Sequence, residues 1–215
     1  MSLDMEYLLK HARTVVKGFP LKLLLEDDPK YHAPMWHVHG VLGHAYNVWH
    51  AAQRFKEICG QDVTAMAVMH DICKFEGFPE AVAIVAKGGI PDIAYVGHEG
   101  ASGHFAAEHS FLPAADITSM SIHHHAYLGS RPYDIVQALG SEKEAVLRWI
   151  LLCACDAAGK GFTPAQIAQR PAIADKFRNT ARLVGIDAND DALIAACAAV
   201  TTWDALPREQ IPSFK

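Results

Sequence analysis

Four side chains in this sequence have the type and setting of cation ligands: His44, the adjacent pair His70-Asp71, and Asp156. Asp71 follows Val63-Thr-Ala-Met-Ala-Val-Met69, a run apolar enough to be buried on most sides if helical. Asp156 follows Ala145 to Cys155, in which ten of eleven residues are apolar. Each carboxylate therefore leaves a buried helix at its C-terminal end, where the helix dipole is negative and desolvation opposes charge. Something cationic must compensate, Lys74 or a metal ion, and one divalent ion shared by the two carboxylates would account for both. His44 lies on the apolar stripe formed by Val41, Ala45, Val48 and Ala52, with His39 as the alternative histidine. A mixed nitrogen and oxygen set from three helices suits a transition metal such as Mn, Fe, Co, Ni or Zn, with Mg also admissible. Four such ligands should converge to within ~2–2.5 Å of one ion and leave places for water and a phosphate oxygen.

The elements that must carry these residues read as helices almost throughout. Helices are expected over residues 4–17, 38–59, 63–69, 78–87, 98–109 and 114–126. Three more are expected from Ser141 to about Ala158, over 164–183 and over 190–200. Gly60 fits a helix stop, Asp62 a cap, and Ser141 with Glu144 a capping box. Residues 27–36 carry two prolines and read as a loop, and the tail after Trp203 reads as irregular. No stretch alternates like a strand between turn signals. The expected fold is all-α, a helical bundle forming a single domain over 1–215, with the core at about 30–165 and the last helices packed on it. Cys153, Cys155 and the tryptophans read as packing residues, and His11, His32, His50, His104 and His109 as surface or packing residues.

Composition narrows the function classes. A net charge of −5, with 51% hydrophobic and 20% charged residues, is that of a globular chain without an extended nucleic-acid surface. The five cysteines are odd in number and contain no C-x-x-C pair, which suggests free thiols in a reducing compartment. No signal-like or membrane-spanning run is apparent, so a cytoplasmic location without membrane association is expected. Thirteen histidines is a high count, but only their positions carry meaning.

The order His44, His70-Asp71, Asp156 resembles the HD superfamily of metal-dependent phosphohydrolases. Ala67-Val-Met-His-Asp-Ile-Cys-Lys74 is similar to that family's central motif, with Cys73 standing where the family usually has glycine. Further blocks resemble the HD domain fused to bacterial CCA-adding tRNA nucleotidyltransferases. They are Trp36-His37 with Gly40 and His44, Gly97-His98-Glu99 through Gly103, Ile122-His-His-His125, and Asp156-Ala-Ala-Gly-Lys160. The likeness spans roughly residues 30–165. The paired aspartates of a nucleotidyltransferase head are not seen, so the resemblance implies a stand-alone hydrolase module with an HD-domain-like bundle.

By this resemblance, a metal-activated water would hydrolyse a small phosphorylated substrate such as a nucleotide or cyclic nucleotide, as a phosphomonoesterase or phosphodiesterase. His44, His70, Asp71 and Asp156 would hold the metal. Asp71 would also bridge to the nucleophilic water, and Lys74 would steady phosphate charge. His98 and His125 would contact phosphate or protonate the leaving group, or else ligate a second metal. His125 is preferred to His124 on the apolar-x-x-His spacing from Ile122. Arg131 and Lys160 are weaker phosphate candidates, Glu99 reads as a helix N-terminal charge, and His37 lies toward the site mouth. The alternative is a non-catalytic metal- and nucleotide-binding sensor. A dinuclear oxygenase, known in another HD branch, is also open, and a homodimer is allowed.

Overall fold

The computed structural model describes residues 3–110 and 112–213. Among these residues eleven α-helices run in chain order: α1 Met5–Val15, α2 Leu21–Leu25, α3 Val41–Cys59, α4 Thr64–Met69, α5 Lys74–Ala86, α6 His98–His109, α7 Ala114–Ser121, α8 Pro132–Ala138, α9 Lys143–Lys160, α10 Pro164–Leu183 and α11 Asp191–Thr202. Single 3-10 turns cover Pro29–Tyr31, Pro91–Tyr95, His123–Ala126 and Arg208–Gln210. No strand occurs among the described residues, and the fold is an all-α bundle. None of these helices is long and apolar enough to cross a membrane.

The bundle is organised around α9. Every residue from Trp149 to Lys160 is buried, because α3, α7, α10 and α11 pack on its several sides. An apolar surface all round a helix is stable only when so enclosed. Cys153 and Cys155 are fully buried in this core, which extends from Met5 to Ile211. All five cysteines are unpaired. The most extensive helix contact in this core lies between α9 and α3. A side chain at Gly159 would collide with Val48 and meet His44 Nδ1, so glycine there lets α9 close onto α3 beside His44.

Three polar devices hold the helix ends. The Arg148 guanidinium donates from Nε and Nη2 to the two Asp116 oxygens at 2.8 and 2.7 Å, and from Nη1 to Asp62 O at 3.0 Å, linking α9 to α7 and to the entry of α4. Asp27, buried and in a left-handed conformation (φ 53°), accepts from Gly43 N at 2.6 Å and so caps α3 from a distant loop. Gly40 and Gly43 leave the space this carboxylate occupies. Arg170 is the third. Its Nη2 donates to Ala157 O and Gly161 O, and its Nη1 to Val200 O and Trp203 O, at 2.7 to 3.0 Å. One buried guanidinium thereby satisfies carbonyls at the C-terminal ends of both α9 and α11.

Several boundaries differ from the sequence expectation. α5 begins at Lys74, not near 78, and contains Pro79. As the sixth residue of the helix, Pro79 forgoes the bond that an N–H there would donate to Phe75 O. Ser141 does not form the expected capping box. It takes a left-handed conformation (φ 63°), and Glu142 is the residue that precedes α9. The expected helix over 114–126 breaks at Ile122 into α7 and a 3-10 turn. α2 and α8 have no counterpart in that expectation, although Pro132 at the first turn of α8 is a recognisable start signal. Gly60 (φ 72°) ends α3 as expected, and Asp62 Oδ1 accepts from Thr64 N at 3.1 Å. The tail after Trp203 is irregular apart from its 3-10 turn, and its last two residues lie outside the described part.

Replacing Arg170 with alanine strands four carbonyls, three of them on buried residues, where each costs about 1–3 kcal/mol when unsatisfied. Urea unfolding of Arg170→Ala should show a stability loss above about 3 kcal/mol. A loss under about 1 kcal/mol would mean that water replaces the guanidinium at these helix ends.

Candidate metal centre

The expected quartet converges. His44 Nε2 lies 3.2 Å from Asp71 Oδ2 and 3.2 Å from Asp156 Oδ1. His70 Nε2 lies 3.2 Å from Asp71 Oδ2 and 3.9 Å from Asp156 Oδ1. Spacings of 3–4 Å are what ligand atoms show when each sits ~2–2.5 Å from a common ion. Asp71 stands in the turn between α4 and α5, Asp156 one turn inside the end of α9, and His44 at the start of α3.

A second group shares Asp71. Its other oxygen, Oδ1, lies 3.0 Å from His98 Nε2 and 3.8 Å from His123 Nε2. Ligand atoms of His44, His70 and Asp156 all lie within 4.8 Å of one another, and so do those of Asp71, His98, His123 and His124. Either group could hold a divalent metal ion. With Oδ2 facing the first and Oδ1 the second, Asp71 is placed to bridge them.

Whether these residues fit a metal is answered by their unused atoms. Three histidines make the same local contact. His70 Nδ1 bonds Ala67 O at 2.8 Å, His123 Nδ1 bonds Met120 O at 2.6 Å, and His98 Nδ1 bonds Tyr95 O at 2.5 Å, each to the carbonyl three residues earlier. A ring that donates from Nδ1 presents its lone pair at Nε2, the tautomer a metal requires. Nε2 of His44, His70, His98 and His123 is buried with no hydrogen-bond partner in the protein. So many orphaned acceptors around one carboxylate would be very costly without a cation among them.

Two lysines complete the charge balance. Lys74 Nζ is 2.7 Å from Asp71 Oδ2, and Lys160 Nζ donates to Asp156 Oδ2 at 2.8 Å while lying over the Tyr127 ring. Both lysines are buried. Burial pushes the Asp71 carboxyl up, but its neighbours His70, Lys74 and His98 outweigh it and hold the group well below the usual carboxylate range. Asp156 is likewise held low against its burial, chiefly by Lys160 and His44. Burial draws Lys160 down, with Asp156 opposing. Burial also lowers His123 to about 3 and pushes His32 and His37 well below the ordinary imidazole value, with Lys74 adding to the shift of the latter two.

A cavity of about 440 Å³ leads to the cluster, with Lys74, Lys160, His98 and His124 in its wall. That lies toward the small end of the ~300–1,000 Å³ usual for small-molecule sites.

His125, preferred from sequence, is not in either ligand group; His123 and His124 are. The local chain is a 3-10 turn, in which three consecutive side chains point in three directions. His123 faces the core, His124 the cavity, and His125 neither, its carbonyl being bonded by Lys176. Arg131 is exposed and pairs with Asp134 away from the cavity. His39 is no ligand. Its Nε2 bonds Leu206 O at 2.7 Å and its Nδ1 lies 3.4 Å from Asp27, pinning the tail to the bundle. Glu99, expected as a helix charge, lies 3.7 Å from His124 Nδ1 in the cavity wall.

His32, expected as a surface or packing residue, is fully buried. Its Nδ1 bonds His39 O, and its Nε2 accepts from Lys74 Nζ at 3.0 Å, so it positions that lysine. Trp36, expected in the core, lines the cavity, as does His37. The proline-containing loop has no periodicity from which these placements could be read. No family model, curated protein or solved structure matches the chain.

Two adjoining ligand groups that share Asp71 lead to a prediction of metal stoichiometry. Purified protein equilibrated with Mn²⁺ should bind up to two ions per chain by elemental analysis. His123→Ala should keep one of them, and Asp71→Ala should lose both. Equal stoichiometry in wild type and Asp71→Ala would contradict a shared carboxylate.

The lowered histidines set a pH dependence. His32, His37 and His123 are neutral in the folded chain well below pH 6.5, whereas the unfolded chain takes up protons there. Stability of the metal-free protein is therefore full above about pH 6.5 and falls as pH drops below it, by up to about 1.4 kcal/mol per pH unit for each such histidine. Thermal melts of the metal-free protein between pH 7.5 and 5 should show the decline. A flat profile would mean that these rings are not held neutral.

Proposed function

We propose that this chain is a metal-dependent phosphohydrolase acting on a small phosphate ester, of the HD type that its motifs resemble. The observation that carries this reading is the convergence on Asp71 of unpartnered histidine nitrogens beside a cavity walled by two buried lysines. His44, His70, Asp71 and Asp156 would hold one ion, and Asp71, His98 and His123 a second. Bound there, such ions would lower the pKa of water and neutralise charge on the phosphoryl group.

The chain's own groups account for the rest. Lys74 is held between Asp71 and His32, and Lys160 between Asp156 and the Tyr127 ring. Both ammoniums are held in place by the protein's own groups, and preorganisation of this kind favours electrostatic stabilisation of developing charge. His124 stands in the cavity wall with Glu99 3.7 Å from its Nδ1, and burial holds its ring far below the ordinary imidazole value, so it would meet a bound ligand as a neutral imidazole. The cavity's size favours one small ligand over a polymer, and nucleotides are the class the resemblance suggests. Two buried lysines favour an anionic substrate, which speaks for phosphate-ester chemistry over oxygenation of a neutral one.

Hydrolysis should be measured with Mn²⁺, Ni²⁺, Co²⁺ or Mg²⁺ as phosphate release from nucleoside monophosphates, nitrophenol release from p-nitrophenyl phosphate and nucleoside monophosphate release from cyclic nucleotides. Wild type should show metal-stimulated release, and Asp71→Ala should lower kcat/KM by more than about 100-fold. Release by wild type no faster than by Asp71→Ala on every ester would overturn the hydrolase reading and favour a sensor.

A further inference from the structure

Two buried polar atoms in the cavity wall have no partner and no part in the metal centre. Gln166, in the first turn of α10, is 1% exposed, and its Oε1 accepts no hydrogen bond. His37 is 6% exposed; its Nδ1 bonds Ala33 O at 3.3 Å, which leaves Nε2 without a partner. Both residues line the cavity that leads to the metal centre. The loop of His37 and the chain entering α10 are joined directly, since Val38 N donates to Lys160 O at 3.0 Å and Val38 packs on Gly161. Trp36 and Gln169 stand in the same wall.

An unmet buried acceptor costs about 1–3 kcal/mol, and a folded chain rarely carries two in one cavity without use. Hydrolysis of a phosphate ester does not need them. The reacting phosphoryl group is rich in acceptors, and its natural partners are Lys74, Lys160 and the cations. An imidazole that donates from Nδ1 offers a lone pair at Nε2, and Gln166 offers its carbonyl oxygen. Both call for a hydrogen-bond donor on the ligand.

We infer that His37 and Gln166 form a recognition subsite for a hydrogen-bond-donating organic group on the substrate, with Trp36 as an apolar wall beside it. This inference rests on the phosphate-ester reading. Among small phosphate esters, a nucleotide such as AMP carries such donors in two places, the ribose hydroxyls and the exocyclic amine of the base. An aryl phosphate carries none. A site that hydrogen-bonds a substrate group discriminates against analogues lacking it, because its own buried atoms are then left unpaired. The subsite therefore sets specificity and leaves the chemistry to the metal centre and the lysines.

The test is equilibrium binding by calorimetry to Mn²⁺-loaded protein, which does not depend on turnover. The probes are inorganic phosphate, AMP, 2′-deoxy-AMP, IMP and phenyl phosphate, with hydrolysis suppressed by low temperature or followed separately. Wild type should bind AMP at least ~10-fold more tightly than phenyl phosphate. Gln166→Met, of similar volume, and His37→Phe, which keeps an aromatic ring, should each cut the ratio of AMP to inorganic-phosphate affinity by about 3–10-fold, the worth of one hydrogen bond. A deficit confined to 2′-deoxy-AMP assigns the ribose hydroxyl as donor, and one confined to IMP assigns the amine. Melting curves establish that each variant is folded, and either variant alone decides the matter. AMP binding no tighter than phenyl phosphate, or an unchanged ratio in a folded variant, overturns the recognition subsite. Absence of hydrolysis with intact AMP discrimination would instead overturn the hydrolase reading and keep the subsite.

Discussion

Two carboxylates buried in an all-helical core are the constraint on which the rest of this structure depends. Asp71 and Asp156 are each at most 3% exposed, on or just beyond helices whose other residues are largely apolar. Ionised carboxylates are sustained there only if positive charge is held against them. Lys74 and Lys160 supply part of it at 2.7 and 2.8 Å, and they are buried in turn, so removing either partner would leave a bare charge in the core. The path of α9 follows from this requirement. It must be apolar enough to run through the centre of the bundle, yet deliver Asp156 and Lys160 on one face, four residues apart. Gly159 then lets it approach α3 closely enough for His44 to face Asp156.

The histidines are oriented by their own backbones. In His70, His98 and His123, Nδ1 is bound to the carbonyl three residues back, although the three lie in different local settings: the turn after α4, the first residue of α6 and a 3-10 turn. The shared solution is cheap, because it uses a carbonyl near a helix or turn end that lacks an intrahelical partner. It points three Nε2 atoms inward with no need for second-layer side chains. A ligand set built this way is rigid before any ion arrives, which lowers the ordering cost of binding. Gly97 (φ 80°) makes one such placement possible by turning the chain from the 3-10 turn at Pro91–Tyr95 into α6 at His98.

Around this centre the cavity divides its labour by the sign of what each wall offers. Lys74 and Lys160 present donors and positive charge, whereas His37 and Gln166 present unmet acceptors. A ligand with an anionic end and a donor-bearing end would satisfy both. The loop between α2 and α3 supplies the acceptor His37 and also His32, which accepts from Lys74. That loop is itself anchored by Asp27 on the start of α3 and by His39 on the C-terminal tail, through Leu206. The tail is tied a second time, by Leu206 N to Asn47 on α3.

Much of the centre was legible in the sequence because desolvation writes itself into composition. Apolar runs ending in Asp71 and Asp156, and His44 inside an apolar stripe, announce buried charge whatever the packing, and the all-α class follows from the same periodicities. The choice among His123, His124 and His125 was not legible. It turns on a break at Ile122 that converts α-helical to 3-10 spacing, which rotates every following side chain. Nor were the burial of His32, the cavity position of Trp36 or the left-handed Ser141. Those depend on contacts between residues far apart in the chain, such as Lys74 with His32 and Val38 with Lys160, and no local pattern encodes them. Local composition is enough to say which residues are charged and buried. Which atoms they face is a matter of packing, because ligand direction is set by where helices end and how closely they approach.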